Sequence, residues 1–243
     1  MKKLQVAILA GGLGTRLRPI TEKIPKPLVP VAGAPFLYWQ LRDLAAQGYE
    51  DVLLLVAYLG EQIEEHFGDG RDLGLRLKYA YEPEPLGTGG ALKNALEFLE
   101  DEFILLNGDS FLRAPLTEMS AWLGAGFEAV VSTYDNHPPV PVIPNIKTEA
   151  AGPRSRVVAY EKDAGPAKGF REIDSGIYVL KRELVAKEPR SRFMLADLWT
   201  PLIPAGKLGA FPVRERFYDI GTPERLKEFE EKVHDYFPDT LEN

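Results

Sequence analysis

The sequence contains no cysteine, which excludes disulfides, thiolate metal sites and a cysteine nucleophile. Histidine is nearly as scarce. His66, His137 and His234 are the only three, and their spacing matches no metal-ligand pattern. Long apolar runs are missing as well: the longest extends only from Val52 to Leu59, far short of the ~20 residues a membrane-spanning helix needs. Positive charge is outnumbered, 29 Lys and Arg against 36 Asp and Glu, for a net charge of −7. The summed field repels a polyanion, so no nucleic-acid partner is expected, and any phosphate chemistry must use locally placed cations.

What is present describes an ordinary globular chain. Its 243 residues can bury a sizeable core, and 45% apolar with 27% charged residues lies in the folded range. The 22 Gly and 20 Pro predict many turns, below the level that signals disorder. Lys2 and Lys3 ahead of Leu4 to Ala10 imitate a signal peptide, but Gln5 interrupts the run and no small-x-small cleavage site follows. The segment is expected to be a first buried strand, and the protein cytoplasmic with no membrane partner.

Strand and helix patterns alternate through the first half. Leu4 to Ala10, Asp51 to Ala57, Gly74 to Ala80 and Glu102 to Leu106 read as strands; Pro35 to Gln47, Gly60 to Phe67 and Gly90 to Glu100 read as helices. That order predicts right-handed βαβ units on a parallel sheet. The second half is less regular. Ala129 to Tyr134, Arg156 to Glu161 and Ile173 to Leu180 look like strands, around a Pro/Gly-rich loop from Pro138 to Pro153. Phe217 to Ile220 reads as one more short strand. Thr222 as N-cap and Pro223 at the first helical position predict a closing helix from Glu224 to Phe237, then a solvated tail from Pro238 to Asn243. No internal repeat interrupts the chain. One domain of two lobes is expected, 1–112 and 113–243.

Several segments can carry chemistry. Gly11, Gly12 and Gly14 follow the first strand, and Arg16 follows them. Such a loop can turn consecutive N–H groups toward phosphate oxygens, and a guanidinium suits bidentate phosphate binding. It lacks the Gly-Lys-Ser/Thr of a Walker loop and the third Gly of a dinucleotide fingerprint. A tight strand exit with a solvated arginine is the plain alternative. Lys26 sits between Pro25 and Pro27, which fixes its backbone and leaves the ammonium free; a surface lysine would look the same. Asn107-Gly108-Asp109 is a good hairpin turn. It also stands at a strand C-terminus, where ligands bind in open α/β sheets and where a carboxylate suits Mg²⁺. Asp219 is similarly placed, unless it serves only the helix that follows. Gly87, Gly89 and Gly90 open a helix and leave room for a planar group against the backbone, or are simple turn residues.

Together these pieces resemble the sugar-phosphate nucleotidylyltransferases, which include mannose- and heptose-1-phosphate guanylyltransferases and glucose-1-phosphate uridylyl- and thymidylyltransferases. The resemblance rests on LAGGLGTRLRPIT (Leu9 to Thr21), IPKPLVPVAG (Ile24 to Gly33), EPLGTGGAL (Glu84 to Leu92), LNGDS (Leu106 to Ser110), Glu161-Lys162, DSGIYVL (Asp174 to Leu180) and YDIGTPE (Tyr218 to Glu224). The pieces keep the family's order and span nearly the whole chain; PLGTGGAL, LNGD and FYDIGTPE are most similar to the short D-glycero-D-manno-heptose 1-phosphate guanylyltransferases.

The resemblance implies an α/β fold: a Rossmann-like mixed, mainly parallel sheet flanked by helices, of the nucleotide-diphospho-sugar transferase type, with a smaller α+β sugar-binding lobe. It implies transfer of a nucleoside monophosphate from an NTP to a sugar 1-phosphate, with Mg²⁺ as cofactor. By similarity Arg16, Lys26 and Asp109 are catalytic. Leu9, Ala10, Gly11, Gly12, Gly14, Thr15, Arg16, Glu82, Pro85, Leu86, Gly87 and Thr88 bind nucleotide. Asn107, Asn145, Glu161, Lys162, Asp174 and Ser175 bind the sugar phosphate, and Asp109 and Asp219 hold the metal. The chain departs from the family at Pro141 to Asn145, where many members have Tyr-Gly, and at Asp174-Ser175-Gly176 in place of Asn-Ala-Gly. Both changes concern the acceptor. GTP is the expected donor, because an ionised Glu82 can accept from guanine's N1–H and 2-amino groups; the preferred acceptor is heptose or mannose 1-phosphate. Transfer of another nucleotide to another sugar, and a silent nucleotide-sugar-binding regulator, are the alternatives. Oligomeric state stays open.

Overall fold

The computed structural model describes residues 3–238. The first half contains β1 (Gln5–Leu9), the short pair β2 (Pro30–Val31) and β3 (Ala34–Pro35), α1 (Phe36–Ala46), β4 (Asp51–Val56), α2 (Gly60–Phe67), β5 (Arg76–Tyr81), α3 (Gly87–Asn94), β6 (Glu102–Asn107) and β7 (Ser110–Phe111). After it come α4 (Leu116–Ser120), β8 (Ala129–Tyr134), β9 (Ile146–Ala151), β10 (Arg154–Tyr160), β11 (Ile173–Lys181), α5 (Arg182–Lys187), α6 (Trp199–Leu202), β12 (Leu208–Val213), β13 (Tyr218–Asp219) and α7 (Pro223–Tyr236).

Nine strands form one sheet in the order β5-β4-β1-β6-β11-β8-β12-β10-β9. The pairings make β5, β4, β1 and β6 parallel, and only β11 and β10 run against the other strands. The expected mainly parallel α/β sheet is what forms. Its two faces are apolar in alternation, as a sheet covered on both sides requires. Val6, Ile8, Leu54 and Ile104 meet Leu37 and Leu41 of α1 on one face, while Ala7, Leu53 and Leu105 meet Ala91 and Leu92 of α3 on the other. A third cluster packs Phe229 and Val233 of α7 beneath Leu17, Phe36 and Trp39. Phe229 stands edge-on to Phe36 at 5.3 Å. The closing helix thereby props the segments that follow β1, and truncating Phe229 to Ala would cost about 3–5 kcal/mol.

The structure corrects three element boundaries. The helix expected over Gly90 to Glu100 spans Gly87–Asn94. It stops because Gln5, buried in β1, takes the next turn for itself: its amide donates to Phe98 O at 2.9 Å and accepts from Glu100 N at 3.0 Å. The strand expected from Gly74 begins at Arg76, because Gly74 adopts the left-handed region at φ 71° and closes a turn. Within the expected loop from Pro138 to Pro153, residues 146–151 form the edge strand β9, paired along its length with β10. The N-cap is as expected: Thr222 accepts from Arg225 N at 3.4 Å. Apart from Pro238, the expected tail lies outside the described residues. No described helix is long and apolar enough to cross a membrane.

Candidate active site

The C-terminal ends of β1, β4 and β6 open on a cleft of about 770 Å³. Leu9 to Arg16 make its floor, and Lys26, Glu82, Pro85, Gly87, Thr88, Asn107 and Asp109 line its sides together with Gly221. The loop after β1 is anchored where Ala10 N donates to Leu55 O at 2.8 Å. Arg16 is exposed and stands beside Gly221, whose α-carbon has no room for a side chain next to the guanidinium and the Asp219 carboxylate. Of the expected nucleotide and catalytic residues, only Leu86 is not on the cleft wall. It is buried, and its N–H donates to Glu82 Oε2 at 3.1 Å. Burial raises the Glu82 carboxyl above its ordinary value of 4.5, partly offset by that Leu86 N–H.

Lys26 and Asp109 meet inside the cleft, Nζ to Oδ2 at 2.7 Å. The lysine side chain is 9% exposed and the aspartate 41%, so the cation is held deep while its partner faces the opening. Gly108 explains how Asp109 gets there. Its N–H donates to Leu9 O at 3.1 Å, and a Cβ at this position would fall 2.2 Å from that oxygen. Only glycine lets the β6 exit lie against the β1 exit.

The glycines of the Gly87 to Gly90 turn have a different cause from the one expected. A Cβ on Gly89 would lie 2.2 Å from the Phe193 ring, one on Gly87 2.6 Å from Phe193 O, and one on Gly90 2.6 Å from Ser191 O. The planar group against this backbone is Phe193 itself. Its carbonyl accepts from both Gly89 N and Gly90 N at 3.1 Å, and Leu195 N donates to Thr88 Oγ1 at 2.9 Å. Two of the free N–H groups at the start of α3 are therefore already satisfied from within the chain. No local pattern in the sequence marks Phe193; only its burial at 4% does.

Three of the six residues expected to hold the sugar phosphate, Asn145, Glu161 and Asp174, are linked by hydrogen bonds. Asp174 Oδ2 accepts from the hydroxyls of Tyr160 and Tyr178, each at 2.8 Å, and Oδ1 accepts from Gly176 N at 3.0 Å. Burial raises the Asp174 carboxyl above its ordinary value, against the opposing effect of those three donors. Burial and the neighbouring carboxylate push both tyrosines up. Asn145 Oδ1 accepts from Asp174 N at 2.9 Å, and its carbonyl accepts from Glu161 N at 2.9 Å. Asn107, the one sugar-phosphate candidate on the cleft wall, lies against Gly176, where a Cβ would fall 2.9 Å from its Nδ2. Glu161 is ion-paired with Lys168, and Lys162 is exposed beyond the end of β10. Ser175 is 2% exposed, its hydroxyl 2.6 Å from Ser132 Oγ, buried inside the sheet. Tyr160 and Tyr178 were missed because they read as strand core.

Asp219 lies on β13, paired to β7 immediately after Asp109. Both its oxygens accept from Arg225 Nη1, at 3.0 and 2.9 Å, and Oδ1 also accepts from Gly221 N at 2.8 Å. Arg225, likewise missed, also holds Pro141 O. Two carboxylates on adjoining strand ends fit Mg²⁺, which takes one or two protein carboxylates and completes its shell from phosphates and water. Among the described residues no group of three acidic or histidine side chains is placed to hold a metal ion, so phosphate oxygens or water would have to complete the shell.

The nucleotidyl transferase family model matches residues 5–236. The D-glycero-alpha-D-manno-heptose 1-phosphate guanylyltransferase of Campylobacter jejuni is 33% identical over 229 residues, covering 93% of this chain and 98% of that one. The mannose-1-phosphate guanylyltransferase of Mycobacterium tuberculosis is 33% identical over 228 residues; the match takes in 91% of this chain and 62% of that protein. Among solved structures, HddC from Yersinia pseudotuberculosis complexed with GMP-PN superposes with a TM-score of 0.76 at 30% identity, over 95% of this chain and 99% of the other.

Proposed function

The chain belongs to the nucleotidyl transferase family, and from that premise we propose that it transfers a guanylyl group from GTP to a sugar 1-phosphate, a heptose or mannose 1-phosphate by preference. The observation that carries this reading is the cleft itself. One glycine-floored pocket at the strand ends joins two cations, Arg16 and Lys26, to a metal-competent carboxylate, Asp109, and a base-reading carboxylate, Glu82. Full-length guanylyltransferase relatives near 30% identity support the choice of donor and acceptor. A reaction that consumes a nucleoside triphosphate fits the cytoplasm.

Both reactants are anions, so the work is charge neutralisation and alignment. A sugar phosphate with a second pKa near 6 is already mostly ionised at neutral pH and needs no general base. Its oxygen attacks the α-phosphorus in line; the new P–O bond forms as the bond to the β-phosphate breaks, and pyrophosphate leaves with the electron pair. The loop from Gly11 to Arg16 cradles the triphosphate. Lys26 exchanges Asp109 for the α-phosphate and stabilises the charge that develops there. Mg²⁺, held by Asp109 and Asp219 when bound, would neutralise phosphate oxygens and keep donor and acceptor together. Glu82 Oε2 is engaged by Leu86 N, which leaves Oε1 to accept from guanine. Asp174, held by Tyr160 and Tyr178, orients Asn145 toward the acceptor, and Lys162 receives its phosphate. A pyrophosphate-release screen of four nucleoside triphosphates against a panel of sugar 1-phosphates tests the reading. GTP with mannose or heptose 1-phosphate should give the highest rate; release with no pair would remove the enzymatic reading, and a clear preference for UTP would remove the guanylyl one.

A further inference from the structure

Gln40 stands outside the cleft and belongs to no motif, yet it is 3% exposed on α1. Its Nε2 donates to Asn107 O at 2.9 Å and to Ser110 O at 2.7 Å. Two carbonyls can be bonded by one amide only through its NH₂ group, so chemistry fixes the orientation. The two bonds bracket Gly108 and Asp109. On the far side of the same loop, Gly108 rests against Leu9 O, and Asp109 O accepts from Ile220 N at 2.9 Å. Gln40 Oε1 is buried with no protein partner, so both bonds of this side chain run from its NH₂ group to the 107–110 loop.

The same helix also holds the opposite member of the ion pair. Trp39, one residue earlier, donates Nε1–H to Val31 O at 3.0 Å, and Phe36 N donates to Val29 O at 2.9 Å. These bonds secure the strand that follows Lys26. Adjacent residues of α1 thus index both Lys26 and Asp109 to one rigid element, although the two lie 83 positions apart.

We propose that Gln40 is a positioning residue: it fixes the 107–110 loop so that the Asp109 carboxylate is presented at a set distance from Lys26 and from a bound metal. This inference rests on the proposed nucleotidyl transfer for its kinetic consequence. Residues that orient a metal's ligands typically matter about 10–100-fold, so Gln40→Met should lower kcat by about tenfold or more. The Mg²⁺ concentration for half-maximal rate should rise with it, while KM for GTP and for the sugar phosphate stays within about twofold. Gln40→Glu adds a readout that mere packing would not move. An ionised Glu has no hydrogen to give to either carbonyl, and a protonated one has one, so its activity relative to wild type should climb as pH falls, whereas Gln40→Met stays level.

Amide hydrogen exchange supplies a measure independent of turnover: Gln40→Met should exchange faster over residues 106–111 and keep its protection over 51–56. If the wild type turns over no substrate pair but that exchange pattern appears, the clamp stands and the reaction falls. Unchanged exchange over 106–111, or an active Gln40→Met with kcat and Mg²⁺ requirement near wild type, overturns the clamp.

Discussion

At the ends of β4, β1 and β6 the ligand edge is made largely of backbone: Leu9 to Gly14 form an open floor, Gly108 lies against Leu9, and charged side chains enter from the sides. Across the same sheet, at β11 and β10, the edge is made of side chains already bonded within the chain, Asp174 to two tyrosines and Asn145 to the Asp174 N–H. In the proposed reaction the first region would take a triphosphate with only the Lys26–Asp109 pair to rearrange. The second is a buried polar network, which specifies one arrangement and resists change. A common donor suits a backbone cradle, and a particular sugar suits a side-chain network that can differ from one relative to the next.

If this contrast holds, the largest effect comes from the donor side and is blind to the acceptor. Lys26→Met should cut kcat by about 10²–10³, the loss typical of removing one transition-state charge partner, and by the same factor for each sugar 1-phosphate accepted. Steady-state kinetics on two acceptors checks it. A loss confined to one sugar would move Lys26 into the acceptor region and erase the distinction.

How much of this was legible in the sequence divides along the same line. The βα alternation up to Asn107 could be read because apolar runs such as Val52 to Val56 end in turn residues, and the cleft-lining segments follow those ends directly. The second half hid its structure. β12 contains Gly209 and Pro212, which argue against a strand interior. It is tolerated because β10 meets β12 only at Arg156 and Gly209, leaving Pro212 free of that ladder. β9 is a polar edge strand without alternation. Phe193 against Gly89, Arg225 on Asp219 and Gln40 on Asn107 are tertiary contacts, which no local spacing encodes.

A smaller effect sharpens the donor side. Glu82→Gln should shrink the preference for GTP over UTP by about tenfold, or about 1.4 kcal/mol, measured by donor competition. Its pH dependence follows from burial, which raises the Glu82 carboxyl. Acidification through that raised value converts the acceptor into a neutral acid, so KM for GTP should climb at a higher pH than an ordinary glutamate would allow. The amide of the Glu82→Gln variant cannot titrate, so the variant should lose that rise.

The smallest effect belongs to the acceptor network and concerns stability. Asp174 has a raised carboxyl pKa in the folded state because it is buried. Its contribution is therefore greatest below the unfolded value and is lost as pH rises through the folded one. Asp174→Asn escapes that loss. Asn has one acceptor oxygen where Asp174 uses two, so the offset at neutral pH is set by that lost bond and the test is the slope: thermal melting should find wild type gaining stability relative to the variant as pH falls toward 3.8. Wild type losing stability relative to the variant in acid would mean that the ionised carboxylate is the stabilising form.

The central claim is that the donor cleft stands ready for a guanine nucleotide before any sugar arrives. Calorimetric titration of GTP and UTP with Mg²⁺ into the protein, without sugar phosphate, tests it most directly. Saturable GTP binding is expected, with UTP weaker by about tenfold and a narrowed gap in Glu82→Gln. GTP binding that appears only after a sugar 1-phosphate is added, or equal affinity for the two nucleotides, would contradict it.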